Sequence, residues 1–306
     1  MNILVTGGAG FIGSHIVDAY LSAGHSVVAV DNLSTGSTSN VNAAATFIQG
    51  DIESMDLHSL FQKYRFDLVN HQAARGNPRE SVRDPVAFFE TNVRGGLNVL
   101  EAARANGTRK VIYSSSGGCV YGQLKRVPAD EDHPLQPIDP YGASKECFET
   151  YVRAYATQYG LTYTILRYAN IYGPRQNPYG EVGVVGIFAA RMLAGNPVTI
   201  NGDGNTSRDY VYIEDCVQAN VRAIDAGDNE TLNIGTGVGT SVNGIFDLLS
   251  NLTGYEAAAV HGPAQAGEVP RNELGASRAR EVLGWTPSVP LAVGLERTVA
   301  HLKAST

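Results

Sequence analysis

The chain of 306 residues is predicted to be an α/β protein, with a doubly wound parallel sheet and a smaller carboxyl-terminal lobe. Three observations lead to that class. Short strand-like runs alternate with helical stretches up to about residue 170. The second run, Ser-Val-Val-Ala-Val at 26–30, is a continuous β-branched stretch, as in a strand buried on both faces. A glycine-rich turn, Gly7-Gly8-Ala9-Gly10-Phe11-Ile12-Gly13, joins the first strand run to the first helical one.

Taken in order, Asn2–Thr6 is a short apolar run. A helical pattern follows through Ile12, Ile16, Val17, Tyr20 and Leu21 and closes at Gly24. Strands are then expected over 26–30, 46–49, 67–71, 110–114 and 163–167, and helices over 53–64, 86–106 and 141–159. Such βαβ units specify a Rossmann-type sheet with helices on both faces. Beyond residue 170 the pattern loosens. Gly and Pro cluster in 172–186, a helix is expected over 187–194, and short elements alternate irregularly after it. The expected division is a dinucleotide-binding domain over 1–170, to which a segment such as 206–235 returns. Residues 171–306 mainly form a substrate-binding lobe closing over the sheet's carboxyl edge.

Composition excludes several function classes. Charged residues make up 17% of the chain and the net charge is −7, with no Lys/Arg run, so nucleic acid is not an expected partner. No apolar stretch approaches the ~20 residues of a membrane span. The amino terminus opens on a strand-like run rather than a charged segment, so no signal peptide is expected. Cys119, Cys147 and Cys216 are too far apart for a CxxC metal or redox site, and their odd number argues against a disulfide framework. A cytoplasmic protein without a metal is the expectation.

Three groups of residues point to chemistry. In the spacing Gly7-x-x-Gly10-x-x-Gly13, one glycine makes the turn, one admits a pyrophosphate to the backbone, and one packs the helix close to the strand. The helix amino terminus then faces the anion. Asp31 ends the second strand, where a carboxylate accepts hydrogen bonds from an adenosine ribose. It repels a 2′-phosphate, and Asn32, Leu33 and Ser34 supply no arginine to neutralise one, so NAD is expected rather than NADP. Ser114, Ser115 and Ser116 end a strand at the edge where such folds bind ligands. Finally, Tyr141 and Lys145 stand i, i+4 on one helix face. A phenol titrates near pH ~10, and a neighbouring ammonium is expected to lower that value and make the tyrosine a usable base.

These features together resemble an extended short-chain dehydrogenase/reductase. The resemblance continues through His71-Gln72-Ala73-Ala74, Asn92, Leu166-Arg167-Tyr168-Ala169-Asn170-Ile171-Tyr172-Gly173-Pro174-Arg175 and Arg208-Asp209-Tyr210-Val211, and so covers nearly the whole chain. Within that family the chain is most similar to the UDP-glucose (UDP-galactose) 4-epimerases. Its run Ser115-Ser116-Gly117-Gly118-Cys119-Val120-Tyr121-Gly122 resembles their catalytic strand and lacks the Asp-Glu pair of the sugar-nucleotide 4,6-dehydratases.

The resemblance implies a set of roles. Gly7, Gly10, Phe11, Ile12 and Gly13 would hold the NAD pyrophosphate, Asp31 with Asn32 the adenosine ribose, and Asp51 and Ile52 the adenine. Ala73, Ala74, Asn92 and Tyr168 would complete the cofactor site, and Lys145 would bond the nicotinamide ribose. Tyr141 would be the acid and base, with Ser116 its helper. Ser115, Asn170, Arg208 and Glu268 would contact the UDP-sugar, Arg208 on the pyrophosphate. The implied reaction is a hidden redox cycle in which a 4-keto sugar turns over while tethered by its UDP.

The chain departs from that pattern in two places. Arg75-Gly76-Asn77-Pro78-Arg79 stands where the epimerases continue with a Gln-x-Ser-Val-like run, so Arg75 either meets a uronate carboxylate or faces solvent. Gln265-Ala266-Gly267-Glu268 lacks the arginine that many relatives carry two residues before Gly-Asp. Arg208 or Arg271 would then take the charge. A UDP-glucuronate 4-epimerase or decarboxylase, and a non-catalytic nucleotide sensor, are the competing readings. The resemblance also implies a homodimer built on helices 86–106 and 141–159, whose apolar residues equally suit helices that only cover the sheet.

Overall fold

The computed structural model describes residues 1–178, 183–265 and 267–304. The predicted stretches 172–186 and 265–268 therefore include residues outside the description, namely 179–182 and Ala266. The strands are β1 (Asn2–Thr6), β2 (Ser26–Asp31), β3 (Thr46–Gln49), β4 (Leu68–His71), β5 (Lys110–Ser116), β6 (Thr162–Tyr168), β7 (Asn170–Tyr172), β8 (Thr199–Asn201), β9 (Ser207–Tyr212), β10 (Glu230–Ile234), β11 (Gly239–Ser241) and β12 (Val260–Gly262). The helices are α1 (Phe11–Ser22), α2 (Leu57–Tyr64), α3 (Pro78–Arg83), α4 (Pro85–Phe89), α5 (Gly96–Ala105), α6 (Gly117–Val120), α7 (Pro140–Tyr159), α8 (Val184–Leu193), α9 (Ile213–Arg222), α10 (Val242–Thr253), α11 (Ser277–Leu283) and α12 (Leu291–Ala304).

Seven strands form one parallel sheet in the order β3-β2-β1-β4-β5-β6-β10. The order reverses between β1 and β4, and this is where a doubly wound sheet opens its ligand crevice. Each strand feeds two cores. Ile3 and Val5 of β1 join the core beneath α1 and α9, and Leu4 joins the core beneath α2, α5 and α7. That explains the continuous rather than alternating apolar pattern of β2.

The predicted helix over 86–106 is not one regular helix. It runs as α4, a π-turn over Glu90–Gly95, and α5. A Cβ on Gly96 would lie 2.5 Å from the Phe148 ring, so only glycine lets α5 approach α7 this closely. The wide turn places Asn92 and Val93 in the interior. The helix expected from residue 53 begins instead at Leu57, because Asp56 caps it by accepting from the Ser59 N–H at 3.0 Å.

After β6 the chain leaves the main sheet. β7, β9 and β11 form a three-stranded sheet, and β8 pairs with β12. With α8, α10 and α12 they make the smaller lobe. Residues 213–234 then return, placing α9 against α1 and β10 beside β6. A strap over 269–275 ties the two parts together. Asp209 N–H donates to the Asn272 carbonyl at 3.0 Å, and Ala129 N–H donates to the Glu273 carbonyl at 2.8 Å. Leu274 is fully buried, and a Cβ on Gly117 would lie 2.4 Å from its side chain. Among the described residues no helix is long and apolar enough to cross a membrane.

Because β10 and α9 complete the sheet, a fragment ending at residue 172 exposes one flank of β6 and one face of α1. Such a fragment is expected to lack a cooperative thermal transition by circular dichroism. A transition matching that of the whole chain would contradict this architecture.

Candidate functional site

The glycine turn is built as its spacing requires. Gly7 has φ +69°, and a Cβ there would sit 2.8 Å from the Ala73 nitrogen. A Cβ on Gly13 would come within 2.1 Å of the Gly7 carbonyl oxygen, so glycine lets α1 pack onto the turn. At Gly10 a Cβ would meet only the Gly7 oxygen, at 3.2 Å, which leaves the space over the helix start open. No side chain caps α1, so the first N–H groups, at Phe11 and Ile12, face that space with the helix's partial positive charge.

Asp31 ends β2 beside this turn and is buried. Its carboxylate accepts the Ala9 N–H at 3.0 Å and the Leu33 N–H at 2.7 Å. A carboxylate has about four acceptor positions, so two remain for a ribose diol. Asn32 donates to Asp51 at 2.9 Å, Asp51 also accepts the Glu53 N–H, and Ile52 is buried behind them. Ala73 N–H donates to the Thr6 hydroxyl at 3.2 Å, and Ala73 and Ala74 line the crevice floor, half-buried. An open glycine cradle, an uncapped helix start and an acidic strand end together fit a dinucleotide.

The acid–base group stands across the switch point. β5 ends in Ser116, and Asp139 starts α7 by accepting the Gly142 N–H at 2.7 Å. Tyr141 lies in the first turn of α7, near the Ser116 hydroxyl, and Lys145 one turn on. Lys145 Nζ donates to the Ser114 carbonyl at 2.8 Å and lies 5.0 Å above the Tyr113 ring and 5.9 Å from the Tyr141 ring. Below it, His71 is held neutral by burial and by the Lys145 charge, with Nδ1 2.7 Å from the Thr6 hydroxyl.

The expected lowering of the Tyr141 pKa by its ammonium neighbour is not what the free protein has. Burial raises it, the neighbouring Cys119 adds to that, and the nearby Ser116 hydroxyl opposes both. Burial also depresses Lys145 to about 7, although Glu149 and Cys119 pull it back up. The ammonium is drawn toward the Ser114 carbonyl rather than the phenol, so desolvation decides the balance.

Three predicted contacts are placed differently, and Arg75 takes the solvent-facing one of its two readings. Ser115 Oγ donates at 2.6 Å to the buried carboxylate of Glu149, because strand alternation turns it toward α7 and away from the crevice. Tyr168 is buried with its hydroxyl closed into a network with Gln72 and Asn220. Asn92 is spent on bracing. It donates to the Ser144 hydroxyl at 2.9 Å and to the Arg75 carbonyl, and it accepts the Arg75 N–H. The Arg75 guanidinium pairs with Glu80 at 3.0 Å on the exposed rim, over the Phe88 ring.

On the lobe side, Arg208 donates to Glu268 at 3.0 Å and to the carbonyls of Ser207 and Val269, so two predicted ligand contacts hold each other. Arg271 is exposed and pairs with Glu273. Asn170 opens β7, with its side-chain oxygen 3.9 Å from where a Gly118 Cβ would lie. Asn272 was not anticipated. Its amide donates to the Gly118 carbonyl at 2.7 Å, and its buried Oδ1 has no hydrogen-bond partner among the described residues. It lies in a strap without periodicity, and so gave no sequence signal.

A model of the NAD dependent epimerase/dehydratase family matches residues 3–235. The UDP-glucose 4-epimerase of Mycolicibacterium smegmatis is 43% identical, covering 99% of each chain. The crystal structure of a Thermotoga maritima UDP-glucose 4-epimerase with UDP-glucose superposes with a TM-score of 0.98 at 48% identity, covering 100% of this chain and 99% of that one. That of a Thermus thermophilus UDP-glucose 4-epimerase with NAD gives 0.95 at 40% identity, covering both chains fully.

Lys145 pairs a folded-state pKa near 7 with an ordinary value of ~10.4. Burying its charge therefore costs stability in full below pH 7, and the cost shrinks as pH rises toward ~10. Lys145→Met is expected to melt higher than the parent below pH 7, with an advantage that shrinks at higher pH. An advantage that grows with pH would contradict this electrostatic account.

Proposed function

The chain belongs to the NAD dependent epimerase/dehydratase family, and from that premise we propose that it interconverts the C4 epimers of a UDP-hexose, UDP-glucose and UDP-galactose. The observation that carries the reading is the trio of Ser116, Tyr141 and Lys145 at the carboxyl edge, facing the glycine turn across the sheet's switch point.

NAD, when bound, supplies reversible hydride acceptance at the sugar's C4. The chain does the rest. Gly7, Gly10, Phe11, Ile12 and Gly13 cradle its pyrophosphate and Asp31 takes the adenosine ribose. Tyr141 takes the C4 hydroxyl proton as the alcohol becomes a ketone and returns it when the ketone is reduced. Ser116 bonds the same oxygen and carries the proton to the phenolate oxygen of Tyr141. Lys145 holds positive charge beside the pair and steadies the phenolate form. Arg208, released from Glu268, takes the UDP pyrophosphate, and Asn170 and Asn272 border the sugar. With binding energy placed on the nucleotide, the 4-keto sugar turns over without leaving.

The uronate reading rests on Arg75, whose guanidinium is engaged by Glu80, and this favours the hexose. A sensor without catalysis has no use for the buried Lys145 charge beside Tyr141. The purified chain is expected to convert UDP-galactose without net NADH. Activity confined to UDP-glucuronate would overturn the substrate. Tyr141→Phe is expected to lower kcat by about 10²- to 10⁴-fold with little change in UDP binding.

We also place the protein in galactose metabolism in the cytoplasm, where its free cysteines stay reduced, and propose a homodimer. Val86 and Phe89 are 67% and 51% exposed, next to a groove on α7 lined by Ala143, Cys147 and Tyr151. Face-to-face pairing would bury this apolar surface. Light scattering is expected to give twice the chain mass, and Phe89→Glu the monomer. A monomeric parent would sink the dimer.

A further inference from the structure

The reaction described above makes no use of Glu149, yet it is a buried carboxylate near the site that accepts four hydrogen bonds. It is fully buried on α7 and accepts from Ser115 Oγ at 2.6 Å, from Arg167 Nε at 2.9 Å and Nη2 at 2.6 Å, and from Arg153 at 3.1 Å. Arg167, on β6, also donates to Tyr121 at 2.8 Å. One carboxylate thus joins α7 to β5 and β6. We propose that Glu149 is a positioning residue for the reaction, clamping α7 against the catalytic strand and standing as the negative neighbour of Lys145.

The geometry has three parts. Tyr141, Lys145 and Glu149 are spaced four apart, so they line one face of α7 over about 12 Å. Ser115, held by Glu149, lies between Ser114, whose carbonyl takes the Lys145 ammonium, and Ser116, which stands near Tyr141. A helix packed only by apolar contacts, here Phe148 and Val152, is poorly fixed in rotation, whereas a bidentate guanidinium–carboxylate pair fixes it. A buried pair of this kind adds little net stability and is retained for the arrangement it specifies.

Charge points the same way. The groups that face Lys145 are Tyr113 from β5, His71 from β4, Cys119 from α6, and Tyr141 and Glu149 from α7. Of these, Glu149 is the carboxylate, and it opposes the desolvation that pulls Lys145 down to about 7. Arg167 and Arg153 in turn hold Glu149 ionised despite its burial.

The test does not depend on turnover. The chain has five lysines, so carbon-13 labelling at the lysine ε position follows Lys145 by NMR, identified through its absence in Lys145→Met. In Glu149→Gln the Lys145 titration is expected to fall by about 1 pH unit. At neutral pH kcat should fall about 10-fold, its alkaline limb moving down with the titration, while KM changes less than about threefold. Glu149→Asp restores the charge and should return the titration to the parent value. If Glu149→Gln does not fold, Glu149→Gln with Arg167→Met removes both buried charges, and the same downward move is expected. An unmoved Lys145 titration in a folded variant overturns the proposal. This kinetic arm rests on the epimerase reading. Were the parent inactive, that reading would fail while the NMR titration still decided Glu149.

Discussion

One ammonium group, Lys145 Nζ, is kept out of water at the carboxyl end of the sheet, and much of the molecule is arranged around that cost. Desolvation brings its pKa near 7, into the range where the charge is easily lost. A carbonyl from β5, an aromatic face from Tyr113 and a carboxylate one turn along α7 hold it in place. His71 beneath it stays neutral and so adds no competing charge. These partners come from β4, β5 and α7, so the site exists only when those elements pack together.

Besides the apolar core it shares with the sheet, the lobe is coupled to this centre through a few buried acids. Asp209 accepts from Thr236, Gly237 and Leu274, and so fixes β9 against the strap that carries Asn272. Asp215 accepts both the Ser288 N–H and hydroxyl and also Val289 N–H, while Trp285 donates to its carbonyl. Each carboxylate satisfies several backbone donors that would otherwise be stranded. The same strap places Leu274 on Gly117, next to the catalytic serine. The strap that fixes β9 therefore also packs against the end of the catalytic strand.

The sheet, its helices and the central trio were legible in the sequence because they rest on local spacing. Glycine intervals, a period of four between Tyr141 and Lys145, and continuous β-branched runs need no knowledge of distant partners. What was not legible depends on contacts between distant segments. Ser115 read as a ligand contact because its strand does reach the site, but its partner Glu149 lies 34 positions away. The π-turn that buries Asn92 leads into Gly96, whose fit against Phe148 joins distant segments. Arg75 and Glu80 could be paired only after α3 was placed. A sequence signal for Glu149 did exist, as a charge between Phe148 and Val152 on a face that otherwise reads as buried.

The central claim is that oxidation and reduction occur at one carbon, within one site, without exchange with water. UDP-galactose carrying deuterium at C4 tests this most directly. After equilibration with the enzyme in ordinary water, both epimers are expected to keep the label at C4. Loss of the deuterium to solvent would contradict a hydride held within the site, and with it the roles given to Tyr141, Ser116 and Lys145.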